Sequence, residues 1–158
     1  MRSLRHFAIP LIVFPAIAIF VTGGYLRAAA DDQQAHKKLT QGAKMMMEGN
    51  KQARELALKK GIKDPELQQA ADKMKKGYNM VTRGADKLTG STSAEGRSMV
   101  TRGANMMVDA DRATREAIEK HGKVEEYSRG FSMSANGEKM VGQAFMTYGL
   151  QGDWRGVH

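Results

Sequence analysis

The chain has 158 residues, with 25 Lys and Arg against 17 Asp and Glu, and it contains no cysteine. The missing cysteine excludes disulfides, thiolate metal sites, covalently attached haem and a lipid-modified cysteine anchor. The net charge of +8 is interspersed along the chain, so nucleic-acid binding is not indicated. Leu, Ile, Val and Phe are scarce after the N-terminal segment, whereas 12 methionines are present. We therefore expect one domain with a thin, methionine-rich core.

The first 30 residues have the layout of an export signal. Basic residues precede an uncharged apolar stretch over 7–26, and Ala28–Ala30 supplies the small residues that a signal peptidase reads. We expect a signal peptide over 1–30, cleaved after Ala30. Because the apolar stretch is also long enough to span a bilayer, an uncleaved inner-membrane anchor is the alternative, with membrane contact limited to 7–26. In both cases residues 31–158 lie in the periplasm or another extracytoplasmic compartment.

Helix signals dominate the rest of the chain. Asp64-Pro65 has the cap and first-turn residues of a helix start, and Thr92 with Glu95 fits a capping box. Gly61 follows two lysines as a C-terminal stop, and Gly122 repeats that stop after the third helix. These signals predict four helices, at about 33–60, 65–89, 93–121 and 124–149.

An internal repeat organises these helices. Residues 39–55 align with 100–116 without a gap, and 77–81 align more loosely with 137–141. The repeat predicts an all-α fold, a four-helix bundle or a pair of long helical hairpins, from a duplicated αα-hairpin. The two units would span about 33–89 and 93–149, within a bundle over 31–149. Chance similarity between helices of simple composition is the alternative.

Each predicted helix also carries a stripe of a small residue, a methionine and a second small residue, at positions i, i+3 and i+7. These positions share one helix face. Each helical Gly costs about 1 kcal/mol relative to Ala, so we expect a compensating gain from close packing, with Met of one helix over Gly of its neighbour. The alternative is that the glycines only weaken the helices. The stripes are Gly42, Met45, Gly49; Gly77, Met80, Gly84; Gly96, Met99, Gly103; and Gly137, Met140, Ala144.

Methionine also raises the hypothesis of a soft-metal site, because thioethers select copper(I) and silver(I). No two methionines stand three or four residues apart, so a single helix offers no chelating pair. A site between helices would draw on equivalent positions of the two repeats, namely Met45, Met46, Met106 and Met107. Core packing is the favoured role of these residues, and we expect no cofactor.

The C-terminal residues 150–158 form a glycine-rich tail with the single tryptophan, Trp154, followed by Arg155. A frayed terminus is the favoured interpretation, and a docking peptide anchored by these two residues is the alternative.

No enzyme is expected, because the sequence offers no nucleophile with a partner base. We therefore expect a non-catalytic cell-envelope protein with a structural or partner-binding role. Its partner would be an unknown envelope protein or a second copy of the chain. A methionine-rich periplasmic binder of copper(I) or silver(I) is the alternative function.

Overall fold

The computed structural model describes residues 16–88, 93–122 and 124–156, and for 16–29 it describes the backbone only. Within these ranges the chain is helical and has no strand. Two short 3₁₀ turns precede and follow the last helix, at Val124–Tyr127 and Gln151–Asp153. The prediction of four helices is confirmed. They are α1 (Ala16–Lys59), α2 (Pro65–Leu88), α3 (Ala94–Glu119) and α4 (Ser128–Tyr148).

Helix α1 begins 17 residues upstream of the predicted start at 33 and runs unbroken past Ala30. Of the predicted export signal, residues 1–15 lie outside the described ranges. None of the helices in the described ranges combines the length and the apolar character that a membrane crossing requires. Ala35 and Leu39, which follow the predicted cleavage site on α1, are buried in the bundle.

The helices pack as two antiparallel pairs, α1 with α4 and α2 with α3. Contacts between α1 and α2 are fewer, and those between α3 and α4 are sparse. The expected units, about 33–89 and 93–149, are therefore not the tightly packed units of the fold. Each close pair instead joins one helix from each predicted hairpin. Glycine-lined faces allow α1 to approach α4 closely, and α2 to approach α3 closely.

The turn between α1 and α2 has the expected chemistry. Gly61 adopts a left-handed φ of 84°, and the Ile62 amide donates to the Ala57 carbonyl at 3.0 Å. The Glu66 amide donates to Asp64 Oδ1 at 2.8 Å, which caps α2 and lowers the pKa of the Asp64 carboxyl. Asp64 Oδ2 also lies 3.1 Å from His121 Nε2, so this turn is tied to the end of α3.

Two other helix ends differ from the prediction. The N-cap of α3 is Ser93, whose Oγ accepts from the Gly96 amide at 3.0 Å, and not Thr92, which lies outside the described ranges. Adjacent hydroxyl residues are equivalent as caps, so sequence alone misplaced the cap by one position. Helix α3 ends at a right-handed Lys120, so Gly122 does not repeat the left-handed stop of Gly61. The second left-handed stop in the described ranges is Gly149, after α4, with φ of 64°.

The core consists of two apolar clusters. The larger contains fully buried methionines from three helices together with aromatic residues of α4 and the tail: Leu39, Met46, Met74, Met107, Phe145 and Trp154 are among its members. The smaller lies near the α1–α2 and α3–α4 turns and includes Ile62, Leu67, Ile118, Tyr127 and Phe131.

Candidate functional site

Within each helix pair, the two helices meet along a line of facing glycines. We call these lines the α1·α4 seam and the α2·α3 seam. A Cβ atom added to Gly42 would lie 2.6 Å from the carbonyl oxygen of Gly137, and one added to Gly77 would lie 2.6 Å from that of Gly103. Real Cβ atoms do not approach an oxygen so closely, so the backbones have room for hydrogen only. The facing pairs are Gly42 with Gly137 and Gly49 with Gly130 in the first seam, and Gly77 with Gly103 and Gly84 with Gly96 in the second.

Methionines flank these glycines on the opposite helix. The Met45 Cβ lies 2.9 Å from the Cβ position of Gly137, and the Met80 Cβ lies 2.8 Å from that of Gly103. All of the methionines in this arrangement are half-buried, and the Cβ atom of each lies against a glycine. The seams thus combine close backbone approach with a row of thioethers at the surface. The remaining contacts are Met140 with Gly42, Met133 with Gly49, Met106 with Gly77 and Met99 with Gly84.

Sequence analysis missed two seam residues, Gly130 and Met133. Gly130, Met133 and Gly137 stand at positions i, i+3 and i+7, as in the other stripes. The signal was therefore present in the sequence. Ala144, at the other end of that stripe, is fully buried.

The four methionines considered for a soft-metal site lie in different surroundings. Met46 and Met107 are fully buried in the larger apolar cluster. Met45 lies in the α1·α4 seam, whereas Met106 lies in the α2·α3 seam, on the other helix pair. Among the described residues, no group of three or more His, Asp or Glu side chains is arranged to hold a metal ion.

A buried polar cluster links α1 to α3. The Asn50 side chain is fully buried, and its Nδ2 donates to Thr114 Oγ1 at 2.9 Å and to Asp111 Oδ1 at 3.2 Å. Arg54 Nε donates to Asn50 Oδ1 at 2.9 Å. Asn50 and Asp111 occupy the same position in the aligned repeats, which was the available sequence signal for a feature that sequence analysis did not identify.

The electrostatics of this cluster are set by burial. Burial raises the pKa of Asp111, and the hydrogen bond from Asn50 and the positive charge of Arg115 oppose this increase. Burial also lowers the pKa of Arg54. Because hydrogen-bonding groups match in one alignment only, the cluster fixes the register of α1 against α3.

The tail packs back onto the bundle. Trp154 is only 7% exposed, and its ring centroid lies 4.9 Å from that of Phe145. Asn105 binds the backbone on both sides of Trp154. Its Nδ2 donates to the Asp153 carbonyl at 2.8 Å, and its Oδ1 accepts from the Arg155 amide at 3.0 Å. The expectation of a frayed terminus is therefore wrong up to Gly156, because the indole packs against Phe145 in the larger apolar cluster. A tryptophan buried in its own bundle is not exposed for a partner.

One exposed groove combines positive charge with thioethers. It lies on the outer side of the α2·α3 pair and has a volume of about 410 Å³. Among the described residues, its three cations have no carboxylate within 4.0 Å. Its one carboxylate, Asp72, accepts a hydrogen bond from Gln68 Nε2 at 3.2 Å, and its charge acts on Arg54. The groove is lined by Asp72, Lys75, Lys76, Asn79, Met80, Arg83 and Met99.

Comparisons with known proteins return no relative. No family model matches the chain, and no curated protein or solved structure matches it.

Proposed function

We propose that the protein is a non-catalytic, exported protein of the cell envelope that binds a partner protein through the surface of its helical bundle. The observation that carries the proposal is the groove, where half-buried methionines lie beside exposed cations that have no carboxylate partner in the described part of the chain. Several other lysines of the bundle lie within 4.0 Å of a carboxylate, as in the pairs Lys44–Glu48 and Lys51–Glu55. Protein interfaces combine an apolar centre with polar groups around it, and methionine-rich surfaces adapt to their partners.

Export is the second part of the proposal, with residues 1–30 as a cleaved signal. The sequence layout supports it, because basic residues precede an apolar stretch over 7–26 that is followed by Ala28–Ala30. In the described bundle the Asp32 carbonyl accepts from the Tyr148 hydroxyl at 3.2 Å, and the side chain of Ala35 is buried. A chain that starts at Asp31 therefore retains these contacts. N-terminal sequencing of the mature protein tests this: Asp31 as the first residue is expected, whereas Met1 on a membrane-bound chain would indicate the anchor.

Duplication of a helical hairpin is the proposed origin of the bundle, and the seams support it. The offset that aligns the first and third helices carries Gly42 onto Gly103, and the offset for the second and fourth carries Gly77 onto Gly137. The facing pair in one seam therefore maps onto a facing pair in the other. Two hairpins that exchange partners across a pseudo-twofold axis produce this relation.

Site-specific crosslinking in bacterial cells tests partner binding. A photoreactive amino acid replaces Arg83 in the groove of the full-length chain, and in a control it replaces Arg129, which is exposed on α4. We expect a discrete adduct from position 83, identified by mass spectrometry as an envelope protein or as a second copy of this chain. A set of exposed positions on all four helices that yields no adduct would contradict a partner-binding function.

Soft-metal binding is the second candidate function, because Met80 and Met99 line one groove with half-buried thioethers. Titration of the purified protein with copper(I), followed by thermal melting, tests it. Stabilisation at one equivalent of metal, lost when both residues are replaced by leucine, would favour this function over partner binding.

A further inference from the structure

We infer that the groove of the α2·α3 pair binds an acidic protein segment, which inserts an apolar side chain between Met80 and Met99 and pairs its carboxylates with the cations of α2. This inference rests on the proposed partner-binding function and specifies the chemistry of the partner. Three observations carry it: unbalanced charge, facing thioethers and concave shape.

The charge of the groove is unbalanced. Lys75, Lys76 and Arg83 are all exposed and have no carboxylate within 4.0 Å among the described residues. The single carboxylate, Asp72, is engaged by Gln68 and by the charge of Arg54 on the neighbouring helix. The groove therefore presents positive charge that an acidic segment would neutralise.

The apolar part of the groove follows from the register of the seam. Gly77 faces Gly103 and Gly84 faces Gly96 in antiparallel helices, so Met80 and Met99 lie at the same level on opposite sides of the seam. Their Cβ atoms lie against Gly103 and Gly84, and both residues are half-buried and line the groove. Thioethers in this arrangement adapt to an inserted Leu or Phe side chain.

The shape of the groove favours a protein segment over a membrane surface. A volume of about 410 Å³ is at the low end of the range for small-ligand pockets, and it suits one side chain with its adjoining backbone. A planar layer of anionic headgroups would reach the exposed cations and leave the concave floor at Met80 and Met99 unfilled. The segment is therefore acidic and carries an apolar residue.

Fluorescence anisotropy with a defined peptide tests the inference. The probe is a labelled amphipathic peptide of about 15 residues, long enough for a marginal helix, with Leu on one face and Glu on the other. We expect the full-length protein to bind it and the double variant Lys76→Glu/Arg83→Glu to bind about tenfold more weakly or worse. The matched control, Arg129→Glu/Lys139→Glu, changes the net charge equally on exposed α4 positions and should leave binding unchanged. If the reversed variant fails to fold, Lys76→Ala/Arg83→Ala replaces it.

Control peptides separate the two parts of the recognition. Replacing the Leu face by Ser, or Glu by Lys, should each weaken binding about tenfold. Equal binding of any of these peptides, or equal losses in the groove variant and the α4 variant, would overturn the inference. Binding to phosphatidylglycerol vesicles that depends on Lys76 and Arg83, without peptide binding, would overturn it in favour of a lipid surface. Peptide failure alongside crosslinks from other helix surfaces would leave the proposed function intact, whereas an absence of crosslinks at every position would refute the function itself.

Discussion

Replacing Gly77 by alanine should destabilise the bundle, although alanine is the better helix former. The added Cβ would lie 2.6 Å from the Gly103 carbonyl oxygen and 2.7 Å from the Met107 Cγ. An ordinary contact begins at 3.4 Å, so the two backbones would have to separate by about 0.8 Å. The obstacle is a backbone atom, which cannot rotate away as a side chain does.

The magnitude follows from two opposing terms. Alanine recovers about 1 kcal/mol of helix propensity, and overpacking in a tight interior costs about 1–3 kcal/mol. Because a carbonyl is displaced along a whole helix, we take the upper part of that range and expect a net loss of about 1–2 kcal/mol. For a bundle of this size that corresponds to a decrease of roughly 4–8 °C in Tm. Gly77→Leu should cost more, as should Gly84→Leu, where a Cβ would lie 2.8 Å from the Val100 Cγ2.

Urea and thermal unfolding of the mature protein, followed by circular dichroism, measure these effects. The control is Asn79→Ala on the exposed side of α2, which gains helix propensity without a clash and should be neutral or slightly stabilising. Gly137→Ala, at the equivalent position of the other seam, should show the same sign as Gly77→Ala, because its Cβ would meet the Gly42 carbonyl. A Gly77→Ala protein that melts higher than the native protein, as the control does, would refute close packing as the reason for the glycines.

Three further predictions concern other parts of the bundle. Burial raises the pKa of Asp111, so the folded state favours the protonated carboxyl. The stability that this preference contributes is fully present below the pKa of Asp111 in the unfolded chain, and it is lost as pH rises through the pKa of Asp111 in the folded protein. Asp111→Asn should therefore raise Tm at neutral pH and leave it nearly unchanged at acidic pH; an equal decrease at both would contradict this. Trp154→Ala should lower the free energy of unfolding by about 3 kcal/mol in urea titrations. The native protein should also show the blue-shifted emission of a buried indole, and solvent-like emission would contradict the docked tail. Met45→Leu/Met106→Leu should change stability by at most about 1.5 kcal/mol per site and leave any copper(I)-dependent stabilisation intact, since these residues lie in separate seams; loss of that stabilisation would support the soft-metal site.

The helices and their glycine–methionine stripes could be predicted from the sequence because their signals are local. The choice of partners could not. Gly77 and Gly137 stand in stripes with the same spacing, so either would fit the notch of Gly103, and the sequence does not say which pair forms. The choice of partners is a property of the assembled bundle and has no local signal in the sequence.

The buried polar cluster and the docked tail show two other limits. Asn50 and Asp111 were visible as equivalent repeat positions, but polar residues on a helix usually indicate a solvated face. Glycines around Trp154 indicated a frayed end. The hydrogen bonds that hold this tail come from Asn105, about 50 residues earlier in the chain, and were not visible in the local sequence. Contacts so distant in sequence leave no local pattern.

The crosswise pairing of the helices determines the order in which this chain can fold. Helices α2 and α3 are neighbours in sequence, so their seam closes a short loop and can form early. Helix α1 pairs with α4 at the other end of the chain, where Gly49 faces Gly130 and Gly42 faces Gly137. A chain that emerges from its N-terminus, whether from a ribosome or through a narrow pore, therefore carries α1 unpaired until nearly its last residues are free. The fold closes in a single late step, in which the first helix meets the last and the tail places Trp154 over Phe145.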